Sequence, residues 1–104
     1  MPMQRGPVVP LPKDAILVEL RPEAVTFETR KCLLPGTLVS MSLVMEGQAL
    51  PVELPTADCL VVDKDRLGYI YRSRVPLDGL AEGDRDLIRL FIAKGRGAPE
   101  LTRP

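Results

Sequence analysis

Leu38-Val39-Ser40-Met41-Ser42-Leu43-Val44-Met45, followed by Glu46-Gly47-Gln48 and then Ala49-Leu50-Pro51-Val52-Glu53-Leu54, decides the class of fold. Val39, Met41, Leu43 and Met45 occupy every second position, with Ser40 and Ser42 between them. Successive side chains of a strand point to opposite faces, so this spacing predicts a strand with one buried face. Glu46-Gly47-Gln48 predicts a hairpin turn. Leu50, Val52 and Leu54 carry the same period into the return strand. Pro51 and Pro55 cannot donate to a ladder, which puts that strand at an edge or a rim.

The same period extends in both directions. Leu34-Pro35-Gly36-Thr37 fits a type II turn, with Pro at its second position and Gly at its third. Before it, Ala15–Leu20 is a short apolar run that ends in a tight turn, Glu19-Leu20-Arg21-Pro22-Glu23-Ala24. Val25-Thr26-Phe27-Glu28-Thr29 follows, with Val25 and Phe27 on one face. Downstream, Ala57–Asp63 reads as a strand with Leu60-Val61-Val62 buried. Asp63–Gly68 turns the chain, and Gly68–Val75 returns. Leu67, Tyr69 and Tyr71 then share one face, and Ile70, Arg72 and Arg74 the other. These short strands, a turn apart, predict a meander or small barrel.

One helix is predicted over Glu82–Lys94. Leu87, Ile88 and Phe91 recur at helical spacing, and Leu90 widens the stripe. Acidic residues crowd its start and Arg89 and Lys94 lie towards its end, as the helix dipole favours. Gly95 is placed to close it. Such a helix after a set of strands covers the open mouth of a barrel with its apolar face. Pro2, Pro7, Pro10 and Pro12 make residues 1–13 an extended leader, at most an edge strand through Pro7–Pro10. Residues 96–104 are expected to be a flexible tail, leaving 14–95 as the folded domain.

Composition narrows the function classes. The 104 residues make one domain with one small core. Two Phe, two Tyr and no Trp make that core aliphatic. Fourteen basic residues balance fourteen acidic ones, whereas a nucleic-acid binder carries a basic excess. Arg72 and Arg74 therefore read as a solvated strand face. There is no histidine, the usual general base and commonest metal ligand. Cys32 and Cys59 lack metal-ligand spacing and read as buried thiols rather than a disulfide. Asp58, Asp63 and Asp65 invite a metal or acid–base role, but Asp63 and Asp65 sit in an expected turn, where such residues are commonplace. No nucleophile–base pair or phosphate loop stands out, so no catalytic residue and no metal ligand is nominated. No apolar run has membrane-spanning length, which predicts a cytoplasmic chain without membrane insertion.

The turn and strand from Glu19 to Thr29 resemble the second signature of the PilZ family, small β-barrels that bind cyclic di-GMP. That signature is Asp/Asn-x-Ser-x-x-Gly followed by apolar-x-aromatic-Glu-Ser/Thr. Val25-Thr26-Phe27-Glu28-Thr29 matches the strand half. Leu34-Pro35-Gly36-Thr37-Leu38 is similar to the family's L-P-x-G-T-x-L link, Leu67–Tyr71 to its penultimate strand, and Leu77–Ile92 to its closing helix. The resemblance covers about residues 14–95. It implies a mainly β fold: a small antiparallel barrel of about six strands closed by one C-terminal helix.

The ligand motifs depart from the family. In the turn, Glu19 stands at the Asp/Asn position, Arg21 at the Ser and Ala24 at the Gly. The family's leader motif is Arg-x-x-x-Arg, whose guanidinium groups clasp phosphates and stack on guanine. Here Arg5 stands alone, with Val9 four residues on. Each lost charge-assisted hydrogen bond removes roughly 1.5–3 kcal/mol, and about 1.4 kcal/mol is tenfold in affinity. Two functions are therefore expected. One is a non-enzymatic adaptor for bacterial signalling, pilus or motility systems, without a cofactor and acting on a protein partner or a second copy of itself. The other is a cyclic di-GMP receptor with a non-standard site, in which Arg5 and Arg21 contact phosphates or stack on a guanine and Glu19 accepts from a base edge, with Ala24 at the family's Gly position.

Overall fold

The computed structural model describes residues 8–95 and 98–103. The elements are β1 (Val8–Pro10), β2 (Ile16–Leu20), β3 (Ala24–Thr29), β4 (Leu38–Met45), β5 (Gln48–Pro55), β6 (Asp58–Asp65), β7 (Gly68–Pro76), α1 (Glu82–Lys94) and β8 (Glu100–Thr102). The fold is mainly β with one helix late in the chain. No helix among the described residues is long and apolar enough to cross a membrane.

β4 and β5 form because their alternation has something to bury against. They pair antiparallel from Leu38↔Pro55 to Met45↔Gln48. Glu46 and Gly47 make the two-residue turn with φ of 52° and 78°. Positive φ at both positions matches the strands' right-handed twist, and Glu46 is the one non-glycine residue described that adopts it. Upstream, Thr37 N–H donates to Leu34 O at 3.0 Å and Gly36 has φ of 90°, as the type II reading requires.

The strands divide into two four-stranded sheets. The first is β1-β4-β5, with β8 also on β4; the second is β2-β3-β7-β6. Val25 and Phe27 of β3 and Val75 of β7 face Val39, Met41 and Leu43 of β4, all with 0% exposure. Apart from Phe27 and Phe91 this core is aliphatic. Helix α1 sets Ile88 and Phe91 against one end of it and leaves Leu87 and Leu90 exposed. Its first turn carries Glu82 and Asp84, and Gly95 closes it in the left-handed conformation.

Four expectations change. The described residues form eight strands rather than about six. Pairing among the described residues does not run round a closed ring, although β5 approaches β7 and β2 approaches β8. The pairing is not wholly antiparallel, because β1 runs parallel to β4, Val8↔Leu38 to Pro10↔Ser40. A parallel neighbour needs a long crossover, which β2 and β3 supply. In the outer segments, Val8–Pro10 is the edge strand the sequence allowed, but Glu100–Thr102 is a strand where a tail was expected. Leu11 is buried and its N–H donates to Ser40 O at 2.9 Å. Glu100–Thr102 pairs with β4 at Leu43↔Leu101, because β1 covers only the first part of that edge.

Leu60-Val61-Val62 is the largest correction, since all three are exposed, Leu60 by 64%. β6 is the outer strand of its sheet and carries a bulge between Val61 and Asp63. β7 pairs with β3 only from Tyr71 to Pro76, so Gly68–Ile70 has β6 as its sole partner. The far half of the β6–β7 hairpin thus extends past the sheet. Leu67, 80% exposed, and Tyr69 extend with it into solvent.

Candidate functional site

The sequence-predicted positions meet on the outer face of the second sheet. Glu19 lies in β2, beside the turn that joins it to β3. Arg21 N–H donates to Ala24 O at 2.9 Å and closes this turn. Arg21 Nε lies 3.0 Å from Glu19 Oε1, and both side chains are exposed. Ala24 opens β3 opposite Pro76 and is half-buried. Arg5 lies outside the described residues. The structure therefore brings Glu19, Arg21 and Ala24 together at a turn closed by the backbone, with an exposed ion pair beside it.

Register brings further charges to this face. Asp58 stands opposite Arg74, and Glu28 opposite Arg72. Arg74 Nε donates to Asp58 Oδ2 at 2.8 Å, and Arg72 Nε to Glu28 Oε2 at 3.0 Å. Val18, Glu19, Thr26, Asp58, Leu60, Arg72 and Arg74 line a shallow open hollow here. The alternation of β7 placed Arg72 and Arg74 on one face, but their partners come from other strands. Strand register supplies those partners, and periodicity says nothing about register.

Charge on this face is balanced. Arg21 has Glu19, Arg72 has Glu28 and Arg74 has Asp58. An anionic ligand entering the hollow meets two guanidinium groups, Arg72 and Arg74, and two carboxylates, Glu19 and Asp58. The arrangement provides hydrogen-bond donors with no net positive field, whereas phosphate recognition relies on unopposed guanidinium groups.

A second cluster sits along the protruding hairpin. Arg30 makes a two-pronged contact with Asp65, Nη1 to Oδ1 at 2.7 Å and Nη2 to Oδ2. Asp65 Oδ1 also accepts from Leu67 N–H at 2.9 Å. The Arg30 hydrogen bond, assisted by that backbone donor, holds the Asp65 carboxyl down at about 2. The Asp65 hydrogen bond in turn raises Arg30 above its usual range. Lys64 Nζ lies 5.4 Å from the Tyr69 ring centre, and Tyr69 meets Tyr71 edge-on at 6.3 Å. Leu60, Val61, Val62 and Leu67 lie exposed on the same hairpin.

Asp58, Asp63 and Asp65 do not converge. Asp58 holds Arg74, Asp65 holds Arg30, and Asp63 accepts from Lys64 N–H. Among the described residues no three metal-ligating side chains gather. Cys32 and Cys59 do converge, with Sγ atoms 3.7 Å apart. Cys32 is exposed and Cys59 half-buried, which corrects the expectation of buried thiols. Loss of solvation, then the contact with Cys59, pushes the Cys32 thiol above its ordinary value. No sequence spacing signals this pair, because the loop after β3 and strand β6 meet only in the fold. Comparison with protein-family models, curated proteins and solved structures returns no match.

Proposed function

We propose that this chain is a non-enzymatic, PilZ-like adaptor domain that works through protein–protein contacts and whose cyclic di-GMP face has been rewritten. The proposal takes the two sheets as a PilZ-type barrel opened along its seams, where β5 nears β7 and β2 nears β8. The observation that carries it is the pairing of Arg21, Arg72 and Arg74 with Glu19, Glu28 and Asp58 on the motif face. A dinucleotide with two phosphates finds that face electrically balanced, while the exposed apolar row of β6 and the hairpin tip suits a protein partner. A cytoplasmic setting and a bacterial signalling pathway accompany the family reading.

The receptor reading keeps one supporting observation, the hollow lined by Glu19, Arg72 and Arg74 beside the motif turn. Calorimetric titration with cyclic di-GMP to near-millimolar ligand separates the two. The adaptor predicts a flat titration of the folded protein. A saturable, stoichiometric heat that Arg21→Ala and Arg72→Ala weaken would establish the receptor and overturn the adaptor.

A further inference from the structure

Cys32 lies in the crossover between β3 and β4, and Cys59 is the second residue of β6. Both are placed by features independent of sulfur. Cys59 stands opposite Ser73, and Ser73 opposite Phe27, so it belongs to the row that faces the core. The crossover is held on either side of Cys32. Thr29 Oγ1 donates to Lys31 O at 2.7 Å, Arg30 N–H donates to Asp14 Oδ2 at 2.8 Å, and Arg30 grips Asp65. Beyond Cys32, the Leu33 side chain is buried in the core. The loop thus delivers one exposed thiol to a half-buried one, at 3.7 Å.

We propose that Cys32 and Cys59 form a reversible intramolecular disulfide on meeting a small-molecule disulfide such as oxidised glutathione, and that this bond ties the β3–β4 crossover to the edge strand β6. Bonded sulfurs lie about 2 Å apart, and rotation of the exposed Cys32 side chain supplies most of the approach. The Cys32 thiolate attacks one sulfur of the small disulfide and releases one thiolate, leaving a mixed disulfide. The Cys59 thiolate then attacks Cys32 Sγ and releases the second. The two protein thiols give up two protons and two electrons, and the small disulfide becomes two thiols. The ring so closed contains the whole β4–β5 hairpin. Its effect falls on the unfolded chain, whose freedom it restricts. The inference stands independently of the adaptor reading.

The test uses the full chain, reduced and then incubated with oxidised glutathione. Free thiols are alkylated under native conditions, intact mass is measured, and non-reducing electrophoresis and thermal melts follow. The expected product is a monomer lighter by two hydrogens, closed to alkylation. It melts about 10–20 °C higher, from the usual effect of a disulfide on a domain this size, and reverts with dithiothreitol. Cys59→Ser, which leaves only the exposed thiol, should retain one glutathione. Two free thiols, glutathione retained on the parent chain, or a bond between two chains would each overturn the proposal. An unchanged melting temperature in the bonded form would overturn the tie.

Discussion

The β4–β5 hairpin and the β6–β7 hairpin both join strands of eight or nine residues through two-residue connections, yet they meet opposite surroundings. β4 buries every second residue, whereas β6 buries none. Both have apolar sequence to offer. β4 has the second sheet across from it, while β6 is an outer strand whose far half has no neighbour beyond β7. Apolar character is a property of the strand, but burial is a property of what lies opposite. Alternation predicts burial only where another layer exists to receive it.

The comparison breaks first on paired truncations. Leu43→Ala should lower stability by about 2–5 kcal/mol, the usual range for a buried leucine, read from urea denaturation. Leu60→Ala on β6 should stay within about 0.5 kcal/mol, as exposed substitutions do. An equal loss at Leu60 would mean that β6 is covered in solution. Repeating the measurement at several protein concentrations would then reveal a second copy as the cover.

The turns sharpen the comparison. Glu46 holds φ of 52°, a conformation that Asn tolerates better. Glu46→Asn should therefore raise stability on the covered hairpin, by less than the roughly 1–2 kcal/mol that the left-handed region costs an ordinary residue. Lys94 lies 3.9 Å from Glu46 Oε2 at the surface, and losing so exposed a pair subtracts little.

The open hairpin instead depends on Asp65 and Arg30. The folded carboxyl titrates at about 2, below its ordinary 3.8. A depressed acid stabilises the fold above the ordinary value and loses that contribution as pH falls through the folded one. Asp65→Asn should thus lower the melting temperature slightly at neutral pH. The gap from the parent should narrow from about pH 4 downwards and close near pH 2, followed by melts across that range. A gap independent of pH would show that the charge is not what holds the hairpin. The smallest expected effect is at Ser73, whose buried Oγ has no hydrogen-bond partner among the described residues. Ser73→Ala should leave the denaturation midpoint unchanged or slightly higher, because no bond is lost.

Strand and helix identities were legible wherever a local rule governed them. Val39, Met41, Leu43 and Met45 announced their face, and Pro35-Gly36 its turn. The helix appeared where its stripe began and ended. Position within a sheet was not legible. Leu60-Val61-Val62 is as apolar as a core strand, and only its place at the edge exposes it. Of the outer segments, the edge strand allowed through Pro7–Pro10 is present as β1, while the strand within the expected tail was not foreseen. Three residues are too few for a period, so β8 shows itself only on the edge of β4. At the candidate site, the Glu19–Arg21 pair follows from nearness in the chain. Glu28–Arg72, Asp58–Arg74 and Cys32–Cys59 depend on long-range register.

The shared edge of β4 also has a temporal side. β1 occupies it at Leu38–Ser40 and β8 at Ser42–Val44, and Arg103 Nε donates to Leu11 O at 2.8 Å where the two outer segments meet. A ribosome makes β1 before β4, but it makes β8 only after β5, β6, β7 and the helix. At roughly 5–20 residues per second, the Ser42–Val44 edge waits for several seconds with unpaired backbone groups. Until Leu101 is made, that stretch of edge is open to another strand.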